Sequence, residues 1–280
     1  MTITKLGKIA HGQDGAIWGT ELFRMDEKGH CTVYDLGGDA PVKTGSFTLD
    51  RAHEIAPHSN AVCFGRERFE AKDPYPLLYT NIYNNYAGAE NKRIGECLVY
   101  RIQRTKEGFA STLVQIIAVG FTEDADLWKA SPEGHGPRPY GNFLVDPEKG
   151  DYWAFVMRNE TLGTRYFRFA LPSVRDGEED ADGIRRAVLW KENILDFFDC
   201  EYHRYIQGAI LKQGKIYSTE GFDNDTVNRP ALRIVDLKTK TAEYHDITSL
   251  GYLEEPECID FLGERCLDSD AVGNLYEITF

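Results

Sequence analysis

Short apolar and aromatic runs, each closed by turn residues, follow one another along nearly the whole chain. HCTVYDL (30–36), AVCFG (61–65), GECLVYRI (95–102) and ECIDF (257–261) have the length and the β-branched or aromatic content of strands. Asp26-Glu27-Lys28-Gly29 and Glu148-Lys149-Gly150 punctuate them as tight turns. Helix is predicted only as short inserts, over Ala125–Ala130 and Glu192–Cys200 (ENILDFFDC).

One pattern recurs five times: a ring-bearing or acidic residue, any residue, then a side-chain amide or carboxylate, in most cases before a short apolar run. It reads His11-Gly12-Gln13, His58-Ser59-Asn60, Tyr140-Gly141-Asn142, Tyr205-Ile206-Gln207 and Glu255-Pro256-Glu257. The third positions are 47, 82, 65 and 50 residues apart. About 50 residues is the length of one four-stranded propeller blade with its turns, and the longer intervals require insertions. Three further strands are predicted after each of the first four triplets. They are Thr20–Met25, His30–Leu36 and Lys43–Leu49; Pro76–Tyr83, Glu96–Arg104 and Ser111–Phe121; Asp151–Arg158, Thr164–Leu171 and Arg186–Lys191; and Lys215–Gly221, Ala231–Leu237 and Ala242–Ile247.

The fifth unit is one strand short. After Glu257–Phe261 it offers only Arg265–Asp268 and Asn274–Phe280. The β-prone Thr2–Ala10 stands before the first triplet and supplies the missing outer strand. The chain is therefore read as all-β, one five-bladed β-propeller over residues 1–280, closed by pairing of the N-terminal strand with the last blade. Closure leaves no large unpaired sheet edge. A six-bladed ring and a pair of sandwiches are the alternatives.

Composition agrees with this picture. The chain has 280 residues, long for one ordinary domain but within the range of propellers, and 42% of them are hydrophobic. Its 15 Tyr, 15 Phe and 26 Gly suit strands and tight turns. The net charge of −13, without any basic run, argues against nucleic acid and anionic membranes as partners. The N-terminal MTITKLGKIA lacks the apolar core of a signal peptide, and no stretch reaches the roughly 20 apolar residues of a membrane span, so a cytoplasmic location is expected. None of the six cysteines forms a C-x-x-C pair, and buried free thiols are expected.

In a propeller the first strand of each blade is innermost, so residues at its start converge on one mouth of the axis. That convergence makes the triplets candidate chemistry. His11, His58 and Glu257 are the candidates for acid–base or ligand-orienting work. Gln13, Asn60, Tyr140, Asn142, Tyr205, Gln207 and Glu255 are candidate ligand-binding groups. The plainer alternative is that the five amides and carboxylates only satisfy backbone groups and water along the channel. Arg138, Arg158 and Arg204 stand in or beside loops expected at the same face, where they would clamp a carboxylate or phosphate. Each is equally well explained by a surface ion pair. No metal-ligand spacing is present, although His11, His58 and Glu257 are conceivable ligands for a divalent cation at the axis. The P-loop, G-x-S-x-G and H-E-x-x-H signatures are absent.

His11-Gly12-Gln13 and Tyr205-Ile206-Gln207-Gly208, with Lys215-Ile216-Tyr217-Ser218 and Arg233-Ile234-Val235-Asp236, resemble five-bladed propellers of the teichoic-acid-biosynthesis and phage receptor-binding type. The resemblance implies a glycan or polyol-phosphate ligand near the axis and carries over no catalytic residue. The resulting expectation is a small, carbohydrate-like or sugar-acid ligand at the axial mouth, and, if there is turnover, a glycan-acting hydrolase or lyase. The rivals are a protein-interaction scaffold, marked by an exposed apolar patch, and a metal-dependent hydrolase of glycosides or nucleotides.

Overall fold

The computed structural model of the chain describes residues 1–83, 93–128, 140–202, 205–223 and 225–280, with the backbone alone at residues 140 and 141. The strand β1 (Thr2–Lys8) comes first. Blade 1 follows as β2 (Gly15–Trp18), β3 (Glu21–Met25), β4 (His30–Asp35) and β5 (Val42–Thr48). A single helical turn, α1 (Ala52–Ile55), leads into blade 2: β6 (His58–Phe64), β7 (Leu78–Ile82), β8 (Glu96–Thr105) and β9 (Gly108–Val119). Blade 3 opens with β10 (Tyr140–Asp146), β11 (Asp151–Asn159) and β12 (Gly163–Ala170). The chain then forms β13 (Glu178–Glu179) and β14 (Arg185–Leu189) before completing the blade with β15 (Asp196–Cys200). Blade 4 is β16 (Ile206–Lys212), β17 (Lys215–Glu220), β18 (Ala231–Asp236) and β19 (Thr241–Asp246). Blade 5 is β20 (Pro256–Leu262), β21 (Arg265–Asp270) and β22 (Asn274–Thr279), with β1 outermost.

These five sheets form a ring, the arrangement of a five-bladed propeller. The innermost strands β2, β6, β10, β16 and β20 each contact the next around the axis. Antiparallel pairing of β1 with β22, from Thr2 opposite Thr279 to Lys8 opposite Asn274, closes the ring as the strand deficit required. Hairpin turns are built on aspartates. Asp26, Asp146 and Asp236 each accept hydrogen bonds from backbone N–H groups two to four residues on. The core lies between the sheets. Phe23, Tyr79, Tyr100, Tyr152, Tyr166 and Phe167 are fully or almost fully buried there.

Two expectations are corrected. The strand expected at Arg186–Lys191 is present as β14, but it does not finish blade 3. It lies parallel to β9 at the outer edge of blade 2, Arg185 opposite Gln115 and Leu189 opposite Val119. The Gln115 side chain draws the chain there, donating to the carbonyls of Ser173 at 2.7 Å and Asp176 at 3.1 Å, and Arg186 pairs with Glu96. The outer strand of blade 3 is β15, inside the segment read as a helix. Alternation decides it: Phe198 is buried and stacks on Tyr166 at 5.2 Å, while Phe197 beside it is exposed. At the other predicted insert, residues 125–128 form turns, with Trp128 N–H donating to the Asp124 carbonyl, and residues 129 and 130 lie outside the described residues. All six cysteines are unpaired, and all but Cys200 are buried. Among the described residues no helix is long and apolar enough to cross a membrane.

Candidate functional site

Where the five innermost strands begin, they enclose a cavity of about 310 Å³. Gln13 approaches it from blade 1, His58 and Asn60 from blade 2, Asn142 from blade 3, Tyr205 and Gln207 from blade 4, and Glu255 and Glu257 from blade 5. The triplets thus converge across chain separations as large as that between Gln13 and Glu257. Close backbone approach makes this possible. A Cβ at Gly208 would stand 2.5 Å from the Glu257 carbonyl oxygen, and one at Gly12 would stand 2.3 Å from that of Met25, so both positions need glycine. His58, Ser59 and Tyr205 all take left-handed backbone conformations, with φ of 65°, 53° and 60°. Such backbone costs of order 1–3 kcal/mol per residue and persists only where the surroundings impose it. His58 and Tyr205 hold equivalent triplet positions, so the fold repeats the same strained presentation on two blades.

The polar side chains bond to one another across blades. Asn60 Nδ2 donates to Gln13 Oε1 at 3.4 Å and to Gln207 Oε1 at 3.5 Å. Gln207 Nε2 donates to Glu255 Oε1 and to the Gly221 carbonyl. Asn142 accepts from Asn81, whose own oxygen accepts from Ala61 N–H at 2.9 Å. Among the described side chains that line the cavity, three buried atoms stay without a hydrogen-bond partner: Asn60 Oδ1, Asn142 Nδ2 and Glu257 Oε2. Burial pushes the Glu255 carboxyl up to about 7, with the nearby Asp223 adding to the effect. Glu257, only 3% exposed, is raised well above the ordinary carboxyl range by burial first and by the neighbouring Glu255 second. Burial pulls the His58 imidazole below its ordinary value. Burial thus favours the neutral imidazole of His58 and the protonated forms of Glu255 and Glu257.

No family model and no curated protein matches this chain. Among solved structures it is similar to a hypothetical protein from Leishmania major, at 10% identity and a TM-score of 0.45, over 99% of this chain and 90% of that one. It is also similar to Kuenenia stuttgartiensis hydrazine synthase, at 10% identity and a TM-score of 0.41, over 91% of this chain and 60% of that one. Likenesses of this size say nothing about ligand or chemistry.

Not every candidate reaches the cavity. His11 is exposed and does not line it, because the chain reaches the axis only at Gln13, whose N–H donates to the Met25 carbonyl at 2.8 Å. Arg158 is buried away from it, its Nη2 donating to the Ala125 carbonyl at 2.6 Å. Arg138 and Arg204 lie outside the described residues, as does the Tyr140 side chain. Among the described residues, no Lys or Arg lines the cavity. Nor do three His, Cys, Asp or Glu side chains meet as ion ligands among them, so the divalent-cation alternative gains no support.

Tyr83, Met157 and Phe222 line the cavity but were not among the candidates. Each stands at or just beyond the end of a second strand. The signal was available: antiparallel pairing returns the end of the second strand to the mouth where the first began, as in His58 opposite Ile82 and Tyr140 opposite Met157. Tyr83 packs on His58 at 5.2 Å, and Phe222 on Tyr205 at 4.4 Å.

The opposite ends of the same strands enclose a second cavity, of about 230 Å³, lined by Ile17, Trp18, Phe64, Val145, Leu211 and Phe261 among others. Asp260 reaches it, and burial pushes this carboxyl up to about 7 as well. Both its oxygens are engaged, accepting from Ile17 N–H at 2.6 Å and from Phe261 N–H at 2.7 Å.

Proposed function

We propose that this propeller binds a small carbohydrate-like ligand in the axial cavity where its five inner strands begin. One observation carries the reading: amides, carboxyls and aromatic rings, drawn between them from all five blades, line a single cavity, with two buried acceptors and a buried donor left unmatched. Side-chain amides and carboxyls match hydroxyl groups, and the His58–Tyr83 and Tyr205–Phe222 ring pairs offer faces for a pyranose ring. The resemblance to teichoic-acid-biosynthesis and phage receptor-binding propellers points to the same ligand class. A sugar acid or polyol phosphate fits the described lining less well, because no cation faces it there. Turnover by a hydrolase or lyase would draw on Glu255, Glu257 and His58, the titratable groups already shifted toward neutral pH or held uncharged.

Thermal-shift screening and calorimetry against a panel of mono- and disaccharides test the reading. A binder should raise the melting temperature of the wild-type protein, and Gln207→Ala should weaken its affinity about ten- to a hundred-fold, the cost of stranding the partners of one buried polar group. If affinity survives in Gln207→Ala and Asn60→Ala alike, the axial cavity is not where the ligand sits.

A scaffold role is favoured by a different feature. Trp190 and Leu195 are more than half exposed, and Phe197 nearly so, within one short segment running from the end of β14 into β15. A propeller that binds partners through a blade edge would use such a patch.

A further inference from the structure

The unmatched polar atoms point to the charge of the ligand as well as its polarity. Two of the three are acceptors, Glu257 Oε2 and Asn60 Oδ1, and both belong to buried side chains lining the cavity. Glu255 brings a second carboxyl from the same strand start, and it is joined to Asn60 through the Gln207 amide. Facing these acceptors are the rings of His58, Tyr83, Tyr205 and Phe222. Carboxyls, an unmatched carbonyl oxygen and aromatic faces in one cavity are the groups that receive an organic ammonium: three N–H donors need three acceptors, and the cation is drawn to ring faces. The one unmatched donor, Asn142 Nδ2, suits a hydroxyl on the same molecule. The whole chain's charge of −13 adds long-range attraction for a cation.

From this juxtaposition we infer that the axial cavity selects a polyhydroxy ligand carrying a primary ammonium group, an amino sugar in chemical class, with Glu255 and Glu257 receiving the ammonium. The inference rests on the carbohydrate reading and sharpens it. Burial favours the protonated form of both carboxyls. An arriving cation offsets that cost and expels a proton. The titratable groups around Glu255 are Glu257 on its own strand end, Asp223 beyond β17, and His58, Tyr83 and Tyr205 across the cavity.

The test is calorimetry of the full chain at pH 7 with glucosamine, glucose, N-acetylglucosamine and glucuronate, each run in two buffers of different ionisation enthalpy. Glucosamine should bind at least ten-fold more tightly than glucose or N-acetylglucosamine, with proton release, and glucuronate most weakly. Glu255→Gln should erase the preference for glucosamine over glucose and the proton release that goes with it. If glucose or glucuronate equals glucosamine, the ammonium inference falls and the carbohydrate reading stands. Should no sugar bind while ethanolamine does, the carbohydrate reading falls and the ammonium site survives without it. Heat from neither sugars nor ethanolamine overturns both.

Discussion

At the end of the axis where the five inner strands begin, the lining is amide, carboxyl and paired rings. At the end where the same strands finish, Ile17, Trp18, Phe64, Val145, Leu211 and Phe261 take over. Each end also holds a carboxyl that burial pushes up to about 7, Glu255 at one and Asp260 at the other, so a raised pKa does not tell the two apart. Hydrogen-bond partnering does. Asp260 spends both oxygens on backbone N–H groups, that of Ile17, which ties β2 to β20, and that of Phe261 in its own strand. Asp14, deeper in the ring, accepts from Val62 N–H at 2.8 Å and ties the start of β2 to β6, while its Oδ1 has no partner. Glu257 Oε2 has no partner. A buried polar atom without a partner costs the fold about 1–3 kcal/mol, and three such atoms, on Asn60, Asn142 and Glu257, gather at this mouth beside strained His58 and Tyr205, which is what supports the proposal of a ligand there. The other mouth encloses the smaller cavity, over a seam of mainly apolar side chains.

The seam should break first. Phe64 is 7% exposed and touches Phe23 at 5.2 Å, Trp18 at 6.0 Å and Tyr75 at 6.2 Å. Phe64→Ala should destabilise the protein by about 3–5 kcal/mol, read by urea denaturation. Ligand affinity measured well below the transition should not change. A small stability loss with a large affinity loss would reverse the roles given to the two ends.

The second test uses proton linkage. The native pKa values of Glu255, Glu257 and Asp260 are raised, so the folded state holds protons that the unfolded chain releases. Stability from these groups is complete below the ordinary carboxyl values and is lost as pH rises through about 7. Asp35, Asp236 and Glu277 are shifted the other way, so their contribution is lost only in more acid solution. The melting temperature of the ligand-free protein should therefore fall between pH 5 and pH 8, by about 2–4 °C for each kcal/mol lost. Glu257→Gln, which keeps the shape and removes the titration, should flatten part of that fall. A wild-type melting temperature that rises over this range would mean the mouth is not desolvated.

The difference between the ends also explains what the sequence made legible. Strand spacing, aspartate turns and the missing fifth-blade strand were local or countable signals, and they led to the ring and its closure by β1. The exchange of β14 onto blade 2 was not readable, because apolar Ala187 and Leu189, both buried, mark a strand without saying which sheet covers it. What fixes the choice is the tether from Gln115 to Ser173 and Asp176, a long-range contact without periodicity. The polar mouth was legible because each blade begins with the same kind of triplet. The apolar mouth was not, since strand ends such as Val145 and Leu211 look like any core residue. Arg158 misled for a related reason: position in a strand next to a loop says nothing about which way a long side chain turns, and this one turns to the Ala125 carbonyl.

The smallest expected effect is the sharpest test of that convergence. His11 and His58 hold the same place in their triplets, and from sequence they were equivalent bets. In the fold they are not. His58 lines the cavity, packs on Tyr83 and has its imidazole lowered by burial. His11 is exposed and reaches no part of that lining. The reason is local. β2 begins only at Gly15, two residues beyond Gln13, whereas β6 already includes His58, so the first blade holds its ring-bearing residue outside the mouth. His11→Ala should therefore change both stability and ligand affinity by less than about 0.5 kcal/mol, as at an ordinary surface position. His58→Ala should weaken binding measurably, because one of the paired rings is lost. Equal losses in the two variants would mean that the first triplet folds onto the axis in solution and that the mouth is larger than the cavity described by Gln13, Asn60 and Glu257.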